Sequence, residues 1–240
     1  MARILSIIMA VFILVPAIAP AIGQGIIIAS GWRATFGFLL AIAVITMLWF
    51  GLRQPETLAP SARRPFRVRT IARGIAGACR HRTSVGATIA TGLVFAPFLG
   101  YLSTAQQIFQ QTYGTGEMFP LWFATAALAF GAAAVVNARL VMRLGMRFLT
   151  RWAITGLAAF SALFLIIAVM SEGAPPFWVF LIWLGPVMFF LGISFGNLNA
   201  LAMEPLGHMA GLAAALIGSV STMVSVPWVM RIRVSSQSAT

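Results

Sequence analysis

The chain has 240 residues, 60% of them hydrophobic and only 8% charged, with a formal net charge of +12 and a mean hydropathy of +0.97. A soluble protein carries roughly 25% charged residues, so these charges cannot cover a water-facing surface, and lipid is the solvent for most of the molecule. Every basic residue is Arg and every acid is Glu; without Lys no retinal Schiff base can form, and Cys79, alone, excludes an internal disulfide or a multi-cysteine metal site.

A helix crossing about 30 Å of hydrocarbon at 1.5 Å per residue needs about 20 apolar residues. Seven stretches qualify, at 4–29, 34–52, 85–107, 119–138, 150–170, 177–201 and 210–230. The first is too long for a signal peptide and has Pro16 and Pro20 in its middle, so it reads as a retained span. The connection after the second is long, basic and opened by Pro55, Pro60 and Pro65. Connections of that length often separate two units, which divides the chain into 1–52, a linking segment 53–84, a second group of spans 85–230 and a tail 231–240. Within the link, residues 66–82 read either as an interfacial amphipathic helix or as a solvated basic linker.

The Arg residues orient the spans. One side collects Arg3, then Arg53, Arg63, Arg64, Arg67, Arg69, Arg73, Arg80 and Arg82, then Arg139, Arg143, Arg147 and Arg151; the other has Arg33, Arg231 and Arg233. Because positive loops stay inside, the amino terminus, the 53–84 link and the 139–149 connection are expected in the cytoplasm, in a multi-pass protein of the cell inner membrane.

Five motifs in order carry a family resemblance. Ala2-Arg3-Ile4-Leu5-Ser6 leading to Leu14-Val15-Pro16-Ala17-Ile18-Ala19-Pro20-Ala21-Ile22-Gly23 resembles the fifth span of a major facilitator transporter of the Bcr/CflA drug-efflux group. Trp32-Arg33-Ala34-Thr35-Phe36 with Pro55-Glu56-Thr57-Leu58 resembles the sixth span and its exit, and Arg64-Pro65-Phe66-Arg67-Val68-Arg69 the central loop. Asn137-Ala138-Arg139-Leu140-Val141-Met142-Arg143-Leu144-Gly145 resembles the eighth-to-ninth connection. Asn199-Ala200, with His208-Met209-Ala210-Gly211-Leu212-Ala213-Ala214, resembles the tenth-to-eleventh junction.

The resemblance implies an all-α, multi-pass helical bundle, a partial major facilitator fold with about seven spans, corresponding to the fifth to eleventh of twelve. It implies a carrier that exchanges protons for small lipophilic or cationic compounds, with substrate held near the midplane between two halves. The 240-residue chain by itself is then expected not to close a two-half cavity, and the purified chain in liposomes not to export drugs. A carrier of the same fold for a sugar or other metabolite, and a seven-span receptor or sensor, are the alternatives.

Site residues follow from both readings. Pro16, Pro20 and Gly23 correspond by resemblance to the superfamily's antiporter motif; taken alone they describe a kinked, closely packed helix. Arg139, Arg143, Gly145 and Arg147 correspond to its basic cytoplasmic turn, although Met142 stands at the acidic position, and they equally fit topology determinants. Tyr101 and Gln106 are the polar candidates for the substrate pathway, with Phe95, Phe98 and Trp122 as aromatic walls. Asn197 and Asn199 are expected to bond between helices, and Gly192 with Gly196, and Gly211, Ala214, Ala215 and Gly218, to form small packing faces.

Glu56, Glu117, Glu172 and Glu204 all fall at span ends or in loops, so no carboxylate for proton coupling sits within a span. No nucleophile–base, metal-ligand or phosphate-cradling cluster appears. No enzyme, metal or cofactor is expected, and the partners are the bilayer, the transported compound and protons.

Overall fold

The computed structural model describes residue 15 and residues 18–55 and 75–237. Every regular element among them is helical: α1 (Ile18–Ser30), α2 (Trp32–Arg53), a short α3 (75–80), α4 (Arg82–Gln107), α5 (Phe119–Leu144), α6 (Met146–Met170), α7 (Phe177–Met203) and α8 (Ala210–Gln237). Helix is what lipid permits, since backbone polar groups must be satisfied within the segment. A π-helical turn, Ile108–Thr112, prolongs α4, and 3₁₀ turns at Gly116–Met118 and Glu204–Met209 lead into α5 and α8.

Five helical stretches are long and apolar enough to cross a bilayer: Trp32–Arg53, Arg82–Thr112, Gly116–Leu144, Met146–Met170 and Phe177–Gly207. Among the described residues, the first and last expected spans are represented by the apolar helical stretches Ile18–Ser30 and Gly211–Pro227. The fold class is as expected, an all-α bundle of multiple apolar helices.

Up-and-down connections bring the starts of α4, α6 and α8 and the ends of α5 and α7 to one end of the bundle, here called the basic end. Ser84 Oγ donates to the Ala202 carbonyl at 2.7 Å there, and at the opposite end Tyr113 Oη donates to the Pro175 carbonyl at 3.0 Å. Partial burial raises the Tyr113 phenol above its ordinary pKa.

The central helix is α7, which packs on α4, α5 and α6. Its sequence is apolar on every side, as a helix surrounded by others requires. Met188 and Leu191 meet Ala105, Phe109 and Ala126 of the α4 and α5 region; Ile193 joins Ala133 of α5 with Leu149 and Ala153 of α6; Leu198, Leu201 and Ala202 close on Ala87 and Ile217. By contrast α2 has no buried residue, and Phe36, Leu40, Trp49 and Phe50 are all exposed on it.

Two glycines set helix spacing. A Cβ on Gly192 would lie 2.8 Å from Ala133 Cβ and 2.9 Å from the Phe130 carbonyl oxygen, so α7 approaches α5 backbone to backbone. A Cβ on Gly92 would meet Val224 Cβ at 2.8 Å and the Ser221 carbonyl at 3.0 Å, where α4 and α8 run side by side. Gly196 fits the expected small face, its Cβ position being 4.0 Å from Asn137 Nδ2.

The expected small face of α8 is a correction. Gly211, Ala214, Ala215 and Gly218 are exposed, and the helix packs through Ala213, Ile217, Ser221 and Ser225. The glycine that lets the two helices approach belongs to α4, so α8 presents larger side chains there.

The 53–84 link is only partly a loop. Residues 75–80 form α3, and Ala78 is 3% exposed against Leu206 and Ala213, docking the end of the link onto the start of α8. Most of the expected amphipathic segment, 66–74, lies outside the described residues. At the other extreme, α8 runs through 231–237, which the sequence reading placed in the tail.

Asn197 Nδ2 donates to Asn137 Oδ1 at 2.7 Å, an interhelical bond between α7 and α5 as expected. Asn199 does not cross between helices; its Nδ2 donates to the Phe195 carbonyl at 2.8 Å on its own helix, because two positions along α7 turn it to another side. Replacing Asn197 by Leu leaves a half-buried amide unpaired, and should lower stability to unfolding in micelles by about 1 kcal/mol; the same replacement at Asn199 should cost less than half of that.

Candidate functional site

Midway along α4, α5 and α7 the helices part around a cavity of about 390 Å³. That lies within the range of roughly 300–1,000 Å³ occupied by small-molecule pockets. From α4 come Val94, Phe95, Phe98, Tyr101 and Leu102; from α5 Phe123, Ala126, Ala127, Phe130, Gly131 and Ala134; from α7 Met188, Leu191 and Phe195. The α5 residues recur at helical spacing, alternating ring and small side chain on one face. The small residues leave the space and the rings wall it.

The rings are organised in pairs. Phe95 stacks on Phe195 at 5.2 Å between centroids, Phe98 on Phe130 at 5.3 Å, and Tyr101 on Phe123 at 5.9 Å. Each pair ties α4 to α7 or α5. Among the described residues Tyr101 is the one lining residue with a polar side chain, and its hydroxyl is buried without a hydrogen-bond partner there.

Three of the four expected pathway residues, Phe95, Phe98 and Tyr101, therefore meet around one space. Gln106 stands apart: it is exposed, and its Nε2 donates to Gln110 Oε1 at 3.1 Å on the next turn. Trp122 is displaced too, packing edge-on against Phe177 and Trp178 toward the far end. Its neighbour Phe123, about 100° further round the helix, takes the expected place. Phe123, Phe130, Met188 and Phe195 were missed, and the ring-and-small alternation on α5 is the signal that marks half of them.

At the basic end, α5 passes to α6 through Gly145 alone, with φ 78° and ψ 153°. That region is essentially restricted to glycine, and among the described residues nothing lies within 4 Å of a Cβ built there. Gly145→Ala should thus cost about 1–3 kcal/mol through the backbone alone, read as a lower midpoint in thermal unfolding with no change in which helices pack. Arg139 and Arg143 are exposed. Met142 is 87% exposed, and the turn finds its acid elsewhere: Arg147 Nη2 is 3.9 Å from Glu204 Oε2, linking this turn to the connection between α7 and α8. Both side chains are more than half exposed, which limits the pair to a few tenths of a kcal/mol.

Pro16 lies outside the described residues. Pro20 and Gly23 are half-buried in α1, and among the described residues nothing is within 4 Å of a Gly23 Cβ position. Of the acids, Glu117, Glu172 and Glu204 are exposed at helix ends, and Glu56 is outside the described residues.

Known proteins place this arrangement. The family profile of the Major Facilitator Superfamily matches residues 1–228. The MFS-type transporter YdgK of Bacillus subtilis is 25% identical over 227 residues, covering 93% of this chain and 56% of that protein. A bicyclomycin resistance protein homolog of Haemophilus influenzae is 27% identical over 224 residues, covering 92% of this chain and 55% of that protein. The chain thus spans about half the length of the curated relatives it matches. With a profile match over nearly its whole length and a bundle of apolar helices to go with it, the chain belongs to the Major Facilitator Superfamily.

Proposed function

We propose that this chain forms part of a carrier that exports small lipophilic compounds across the inner membrane in exchange for protons, in the manner of the Bcr/CflA group, with the cavity between α4, α5 and α7 on the substrate pathway. The observation that carries this reading is the cavity itself, apolar and aromatic and set at mid-depth in three helices. A sugar pathway would need many hydrogen-bonding side chains, and among the described residues Tyr101 is the only polar one lining this space. The similarity to a bicyclomycin resistance protein homolog adds weight on the side of drug export, and the family favours a carrier over a receptor.

In this reading the basic end faces the cytoplasm, and α1 and α2 belong to the first half of the carrier. Proton coupling needs a group that changes charge within the pathway. Among the described residues no acid lies at mid-depth, so the coupling carboxylate is assigned to the first four spans of the complete plan.

Export from an efflux-deficient bacterium expressing the chain joined in frame to the first four spans and the twelfth span of the Haemophilus influenzae relative tests this. Cells should retain less of a lipophilic dye, and dissipating the proton gradient should restore retention. Dye retention equal to that of host cells in a correctly inserted fusion, together with uptake of a sugar, would replace this reading with the metabolite carrier.

A further inference from the structure

We propose that the cavity selects uncharged aromatic compounds carrying a hydrogen-bond acceptor for Tyr101 Oη, and discriminates against cations of the same shape. The proposal rests on the reading of this cavity as the substrate site, and narrows it. Three observations bear on the choice.

The first is the orphaned hydroxyl. Tyr101 Oη is buried with no partner among the described residues, and a buried donor left unmade carries the full desolvation cost. Water is a poor remedy, since a held water needs two to four polar partners and no other lining side chain is polar. A ligand carbonyl or ether oxygen satisfies the donor while the rest of the ligand stays in apolar contact.

The second is the use of the ring faces. Cations bind to the electron-rich face of a ring, yet Phe95 turns a face to Phe195, Phe98 to Phe130 and Tyr101 to Phe123. Stacking takes up part of the electron-rich surface that a cation would use, and that loss weighs on a charged guest more than on a neutral aromatic one.

The third is charge. Among the described residues no carboxylate lines the space, and the described acids are exposed at helix ends. A cation entering it would give up its hydration without a counter-charge, a loss that one partly covered ring face does not return.

Three compounds on one skeleton separate these effects: 6-propionyl-2-dimethylaminonaphthalene, its 6-propyl analogue without the carbonyl, and its 2-trimethylammonio analogue. Binding to the purified 240-residue chain in lipid nanodiscs is measured by titration calorimetry, with partition into empty nanodiscs subtracted. The ketone should bind about tenfold or more tightly than the quaternary compound. Tyr101→Phe should weaken the ketone about fivefold to tenfold and leave the propyl analogue within about twofold. The retained propyl affinity shows that the cavity is intact, and the thermal midpoint of the unliganded variant should not fall, because the lost hydroxyl had no partner. Ala127→Phe, which fills the space, should remove binding of all three.

Equal or tighter binding of the quaternary compound would overturn the proposal, as would an unchanged ketone affinity in Tyr101→Phe or ketone binding that survives Ala127→Phe. The export reading fails separately. If the fused carrier moves no compound while the ketone still binds with these preferences, export falls and the selectivity stands; export of cations through a site that ignores Tyr101 gives the reverse.

Discussion

Replacing Gly192 by leucine should unfold the contact between α5 and α7 at a cost of about 3 kcal/mol or more, the upper end of what overpacking does. Two atoms set the size of the effect. A Cβ at this position stands 2.8 Å from Ala133 Cβ and 2.9 Å from the Phe130 carbonyl oxygen, and a backbone oxygen cannot swing aside as a side-chain tip can. The helices must separate along a seam that also holds the Asn197–Asn137 bond and the core of Ala133, Leu149, Ala153 and Ile193. Gly218→Leu is the control, since among the described residues nothing lies within 4 Å of its Cβ position; it should move stability by no more than about 0.5 kcal/mol. Denaturant titration in micelles reads both, and equal effects at the two glycines would mean that the α5–α7 seam is not close-packed.

Filling the cavity should have the second large effect, this time on ligand rather than fold. Ala127 lines the space and is half-buried. A phenylalanine there can turn its ring into about 390 Å³ of existing space, so unfolding stability should hold or rise slightly as the void closes. Binding of lipophilic compounds should fall about a hundredfold, roughly 2.7 kcal/mol of lost affinity. The opposite pattern, intact binding with reduced stability, would place the ligand outside the α4–α5–α7 space.

Much of this architecture is legible in the sequence because lipid leaves little choice. A long apolar run in a membrane must be a helix, and the seven apolar stretches all correspond to helices or their described parts. The facing of each helix is harder to read, for the same reason. When all sides are apolar, as on α7, hydrophobic patterning no longer says which side turns inward. Trp122 and Phe123 differ by one position, and only their surroundings put Phe123 on the cavity and Trp122 against Phe177. Asn197 and Asn199 differ by two, and one crosses to α5 while the other bonds its own helix.

Partnerships distant in sequence are similarly hidden. Met142 at the acidic position of the α5–α6 turn argues against an ion pair within that turn, yet Glu204 arrives from the next connection to meet Arg147. The exposed face Gly211, Ala214, Ala215 and Gly218 has the composition of a packing surface, but the spacing between α4 and α8 is set by Gly92. For the site, Tyr101 was legible as a polar candidate and Phe95 and Phe98 as aromatic walls in the third apolar stretch, whereas the contributions of α5 and α7 depend on how three helices meet.

Photolabelling of the chain in nanodiscs with a lipophilic diazirine compound, mapped by peptide mass spectrometry, tests the placement of the substrate site most directly. Label should concentrate on Phe95, Phe98, Tyr101, Phe130 and Met188 around the cavity, compete with excess unlabelled compound, and disappear in Ala127→Phe. Label spread over the exposed apolar faces of α2 and α6, indifferent to competitor and to Ala127→Phe, would contradict it.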